Sequence, residues 1–140
     1  MGSDKMALPV TALYAGILTI FALVLSAKAG VFRGKTGTSI LFGSPENMEL
    51  AQRVRVHQNF LEYVPMALIL MGVLEVNGGN PTFLHAFGVV LIISRYAHAI
   101  GLRHDNMAHP GRVIGAGGTA LMSLVAAVYA VWMVVKPMLA

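Results

Sequence analysis

The sequence predicts an all-α integral membrane protein: a bundle of four transmembrane helices in a single domain covering residues 1–140. Two observations carry this. Composition comes first: 56% of the residues are hydrophobic and only 11% charged, against about 25% charged in soluble domains. The second is the arrangement of the apolar residues in four long runs, each able to cross a hydrocarbon layer of roughly 30 Å, separated by short Gly-, Pro- and Asn-containing turns. The absence of cysteine excludes a disulfide framework, a thiolate metal site and a cysteine nucleophile, so any thiol chemistry has to arrive with a substrate. The formal net charge of +4 sits at the flanks of apolar runs, so it speaks to membrane orientation and not to nucleic acid.

The four helices are expected at about residues 6–28, 45–75, 81–103 and 110–136. Residues 1–5 read as a cloning remnant, with Met6 as the natural start and no cleavable signal peptide. Met6 to Ala27 carries no charge, tolerates Pro9 in its first turn, and leaves the bilayer through the basic, glycine-rich stretch from Lys28 to Lys35. After a loop over Thr36–Gly43, Ser44 is the expected cap of the second helix, with Pro45 at its first position and Glu46 and Glu49 at the positive end of the dipole. Pro65 falls inside that helix and frees the carbonyl near Leu61. Asn80 and Pro81 start the third helix and Pro110 the fourth, whose Gly115, Gly117, Gly118, Thr119 and Ala120 suit close helix packing. Four spans place both termini on one side. The basic residues Lys28, Arg33, Lys35, Arg53, Arg55, Arg103 and Arg112 cluster at the loops of the other side, so the termini are expected away from the cytoplasm.

The chemistry-bearing stretch is Arg53 to Pro65. Arg55, Asn59 and Glu62 recur at spacings of four and three, so on a helix they form one stripe within roughly 60° of arc. Counting back from Glu75 places Arg55 at the interface, with Asn59 and Glu62 roughly 6 and 10 Å inside it. Such groups are costly at membrane depth unless they face a partner or a ligand, so a ligand site requires a cavity beside them. Arg95 and His98 share a face of the third helix and Arg112 lies in the first turn of the fourth, all at the same end of the bundle. Three guanidinium groups against one carboxylate suit a ligand with more than one carboxylate. Other readings stay open. Glu62 and Arg95 can form an internal ion pair that only fixes register, and Arg55 and Arg112 can be interfacial anchors. His57 and His98 can in principle ligate a haem iron, although His57 lies about 160° from Asn59 around the helix.

The run Arg55-Val-His-Gln-Asn59-Phe-Leu-Glu62-Tyr63-Val-Pro65 resembles the second-helix motif of the MAPEG family, membrane-associated proteins of eicosanoid and glutathione metabolism. Arg95-Tyr-Ala-His98, Pro110-Gly-Arg112 and Ser26-Ala27-Lys28 are similar to segments of its third helix, fourth helix and first-helix exit. The resemblance is to a bacterial, microsomal glutathione transferase-like member. It implies a homotrimer in an inner membrane, with glutathione as co-substrate in clefts between subunits and no metal. By that resemblance Arg55, Asn59, Glu62, Tyr63, Arg95 and His98 bind glutathione, while His57 and Lys28 belong to a neighbouring subunit's site. Arg112 is then the catalytic residue that holds the thiolate, which attacks a lipophilic electrophile from the bilayer or reduces a lipid hydroperoxide. One departure stands out: Leu102 occupies the position, seven residues after the third-helix arginine, where several family members carry a tyrosine. The rival expectations are a catalytically silent protein binding glutathione or lipid headgroups, and a haem-binding bundle.

Overall fold

The computed structural model describes residues 7–139, so the expected remnant at residues 1–5 and the expected start at Met6 lie outside the described residues. Four helices follow one another: α1 (Pro9–Lys35), α2 (Met48–Val76), α3 (Pro81–Gly101) and α4 (Pro110–Val135), the last closing in a 3-10 turn at Lys136–Met138. All four are long and apolar enough to cross a membrane, and no strand occurs among the described residues. The chain is a four-helix membrane bundle.

The boundaries correct the sequence reading in instructive ways. α1 does not end at residue 28 but continues to Lys35, beyond the apolar run. A helix need not stop where the hydrocarbon stops, and Arg33 and Lys35 in its last turn favour the negative end of the dipole. Arg33 Nη1 also donates to the Leu41 carbonyl at 2.9 Å, tying the following loop back to the helix. Ser44 is not the cap of α2; Asn47 is, its side chain accepting from the Leu50 amide at 3.0 Å. Starting there rather than at residue 45 leaves Pro45 in the preceding loop and buries Leu50 completely. α2 then runs unbroken through Pro65. α3 stops at Gly101 rather than 103: Leu102 leaves helical geometry with φ −80° and ψ 89°, and the close approach of α4 at this end requires glycine at 101, where a side chain would meet the backbone nitrogen of Arg112 at 2.1 Å. Asn80 caps α3 as expected, accepting from Thr82 and Phe83, and Pro81 and Pro110 open their helices.

Small residues set the closest contact, between α3 and α4. A methyl group at Gly115 would lie 2.5 Å from the Ser94 carbonyl oxygen and from the backbone nitrogen and Cβ of His98, and one at Gly118 would lie 2.3 Å from Ser94 Oγ. Thr119 is buried on the same face, whereas Gly117 and Ala120 point away. The apolar centre runs through Leu18, Met71, Leu74, Leu84, Leu91 and Ala126. Tyr14 fills the gap left by Gly88 and donates from its hydroxyl to the His85 carbonyl at 3.0 Å. Leu8 gives α1 no side-chain cap. Instead the Glu75 carboxylate, in the last turn of α2, accepts from the amides of Val10 and Thr11 at 2.8 and 2.7 Å. That tertiary cap fixes the first helix against the end of the second.

Candidate functional site: a polar cluster across three helices

The 3.6-residue period of α2 places Arg55, Asn59 and Glu62 on one stripe, and the structure joins them. Arg55 Nη1 donates to Glu62 Oε1 at 2.6 Å, and Asn59 Nδ2 donates to Glu62 Oε2 at a longer 3.4 Å. Arg95 reaches the cluster from α3. Its Nη1 donates to Asn59 Oδ1 at 3.0 Å, its Nη2 to the Gly115 carbonyl of α4 at 3.0 Å, and its guanidinium lies 5.5 Å from the centre of the Tyr63 ring. Three helices are thereby connected through one side chain. The Glu62–Arg95 pair considered from the sequence does not form; Glu62 is taken by Arg55, seven residues and almost two full turns away on the same helix.

His98 is buried beneath the cluster, and Arg55, Arg95 and Arg112 all lie within electrostatic reach of it. The three guanidinium groups expected at one end of the bundle are gathered there. Arg112 sits in the first turn of α4, where the close approach of Gly101 and Gly111 brings the two helices together. The His109 ring accepts from the Gly111 amide at 3.1 Å and so caps that turn. A contact the sequence did not suggest holds the α3–α4 loop: the Gln52 side-chain carbonyl accepts from the His104 amide at 2.9 Å. In that loop Arg103 and Asp105 pair at 3.1 and 3.2 Å, and the hydrogen bonds hold the Asp105 carboxyl below its usual range and the Arg103 guanidinium above its own.

One expectation, a cavity beside the stripe, is altered within the single chain. Among the described residues the stripe lies open: the Arg55 and Glu62 side chains are 53% and 45% exposed and Tyr63 is open on the same side. They form an open half-site on the outside of the subunit. A half-open pocket of about 250 Å³ lies on the next face of α2, lined by Phe21, Leu25, Lys28, Gln52, Arg53 and Tyr96 among others. Lys28 borders that pocket and an adjoining groove with Arg53, and His57 is half-buried away from the stripe, so their own chain does not bring either of them to Glu62. Arg53 itself is held by Glu49 at 2.6 Å and lies over the Phe32 ring at 4.4 Å.

Fold and cluster together define an integral membrane protein with four spanning helices and a cationic polar cluster at one end of the bundle. The model of the MAPEG family matches residues 11–132. The inner membrane protein YecN of Escherichia coli strain K12 is 33% identical over 95 residues, 68% of this chain and 71% of that protein, and the YecN protein of strain O6:H1 matches to the same extent. The chain belongs to the MAPEG family.

Proposed function

We propose that this protein is a glutathione-dependent membrane transferase, with glutathione as co-substrate held against the Arg55–Asn59–Glu62 stripe. The observation that carries this reading is the charge of the cluster: Arg55, Arg95 and Arg112 against Glu62 alone, at one end of a membrane bundle. Glutathione in its thiolate form has three negative groups and one ammonium, a net negative charge that suits a cluster with cations in excess. Arg55 takes a carboxylate, Glu62 the ammonium through lone pairs left free by its two contacts, and Tyr63 borders the same open face. Arg112 is assigned to the sulfur, where a guanidinium stabilises the thiolate over the thiol and so lowers its pKa from an ordinary value of about 8.5. The thiolate then attacks a lipophilic electrophile entering from the bilayer, its electron pair forming the new carbon–sulfur bond. Reduction of a lipid hydroperoxide is the parallel use of the same thiolate.

The open side of the half-site supports assembly with the stripe covered by a neighbouring subunit, and the family resemblance makes that assembly a homotrimer. A half-exposed ion pair inside a spanning helix is costly against acyl chains. A neighbour bringing Lys28 and His57 to that surface would complete the cleft. The assembly is placed in the inner membrane, as the relatives' names state for them, with the cluster toward the cytoplasm by the distribution of basic residues.

One observation favours a second reading, binding without rapid turnover. Leu102 packs against the apolar core where family members place a tyrosine hydroxyl. Stopped-flow measurement of thiolate absorbance after mixing purified protein with glutathione decides between the two. The transferase reading expects a rapid thiolate signal that Arg112→Ala abolishes while leaving glutathione binding measurable. Binding with no thiolate signal in the wild-type protein would establish the silent reading, and no binding at all would refute both.

A further inference from the structure

Arg95 is the least accessible charged group of the cluster, 2% exposed on a spanning helix. Among the described residues its guanidinium is in no ion pair, because Glu62 belongs to Arg55. An unpaired buried cation is costly, and removing the groups that do satisfy it would be costlier still. What satisfies it here is neutral: the Asn59 side-chain oxygen and the Gly115 carbonyl, each at 3.0 Å. Its Nε is buried with no acceptor. Both outer nitrogens are therefore committed to protein, and the side chain has no exposed face to offer a ligand.

We infer, resting on the glutathione reading above, that Arg95 is a positioning residue that never touches the tripeptide and acts on it through Asn59. The primary amide of asparagine has two ends of nearly equal shape, one donating and one accepting, and its orientation is set by its partners. A guanidinium only donates, so Arg95 demands the oxygen of Asn59. That choice turns the Asn59 amino group toward Glu62 Oε2, 3.4 Å away. With the amide reversed, its oxygen would face the carboxylate and repel it. Donors from Asn59 on one side and Arg55 on the other then hold the Glu62 carboxylate in one orientation, presented on the open face of the stripe.

The second Nη extends the same control to α4. The Gly115 carbonyl lies three residues after Arg112, nearly one turn, so the bond from Arg95 holds the start of α4 in register with the stripe on α2. The α3 backbone occupies the space a side chain at Gly115 would need, so this approach depends on glycine there. One arginine thereby sets the orientation of the group assigned to the ammonium and the place of the group assigned to the sulfur.

The test is a double-mutant cycle on the full-length protein in detergent or nanodiscs, with glutathione affinity measured by calorimetry. The four proteins are the wild type, Arg95→Gln, Asn59→Ala and the double variant; Gln retains much of the volume and one donor so that folding is preserved. If Arg95 works through Asn59, each single change weakens binding by about tenfold and the double is no weaker than the worse single, since coupled neighbours are non-additive. Losses that multiply to about a hundredfold would mean independent contacts and would overturn the inference while leaving the glutathione reading intact. Thermal unfolding of the same four proteins without ligand gives a separate measure. Absence of Arg95–Asn59 coupling there overturns the inference even if glutathione proves not to be the ligand. Absence of glutathione binding in the wild type, with that coupling present, overturns the role toward the tripeptide and the functional reading with it.

Discussion

Replacing Gly115 by alanine adds one methyl group at one of the tightest points of the bundle, and the structure sets the scale of the damage. The added carbon would lie 2.5 Å from the Ser94 oxygen, the His98 nitrogen and the His98 Cβ. Two of those atoms are backbone, so no side-chain rotation relieves the clash, and α4 has to move away from α3 by about 1 Å to restore ordinary contact distances of 3.5–4.0 Å. Overpacking of this kind costs about 1–3 kcal/mol. The displacement also stretches the bond from Arg95 to the Gly115 carbonyl, now 3.0 Å, and a hydrogen bond to a charged group is worth about 1.5–3 kcal/mol. Together the loss is about 2.5–6 kcal/mol, or a fall of roughly 8–24 °C in Tm for a chain of this length. The internal control is Gly117→Ala, two residues on, where nothing lies within 4 Å of the added carbon. That change gains helix propensity worth up to about 1 kcal/mol and should leave Tm unchanged or raise it slightly. Thermal unfolding of both variants in the same detergent is the assay. Equal Tm values for Gly115→Ala and wild type would refute the close α3–α4 packing and the Arg95 bridge derived from it.

The other expectations follow from single contacts. Glu75→Gln leaves one oxygen where two now cap the Val10 and Thr11 amides and removes the negative charge from the positive end of α1, so stability should fall by about 1–2 kcal/mol in thermal unfolding; an unchanged Tm would show the cap contributes nothing. Glu62→Gln should weaken glutathione binding by about tenfold or more, the scale of a hydrogen bond to a charged group. Its ligand-free stability should change much less, because the Arg55–Glu62 pair is half-exposed. Calorimetry giving wild-type affinity would remove Glu62 from the site.

Helix number and approximate position were legible in the residues because burial in lipid imposes a local requirement, an unbroken apolar run of about 20 residues. The stripe of Arg55, Asn59 and Glu62 was legible for the same kind of reason, since helical periodicity alone aligns residues four and three apart. Asn80–Pro81 could be recognised as a helix start because both signals act within one turn. The start of α2 could not: Ser44 and Asn47 are both competent caps three residues apart, and the burial of Leu50 accompanies the later one. Nothing within α1 or α2 separately reveals that Glu75 caps a different helix, as that contact depends on how the two lie side by side.

Partner choice within the cluster is the clearest division between what residues determine and what packing decides. Sequence alone established that cationic, amide and acidic groups occur at membrane depth on three helices, with cations in excess. It left two arginines competing for one carboxylate. Tertiary structure gave Glu62 to Arg55 and directed Arg95 to Asn59 and the backbone of α4. It did so because Gly115 and Gly101 let α4 approach α3 closely, bringing a carbonyl within reach of a guanidinium that would otherwise need the acid. Charge and periodicity are properties of the chain read locally; which donor meets which acceptor depends on interhelical distances of a few ångströms, and those are set by residues far apart in sequence.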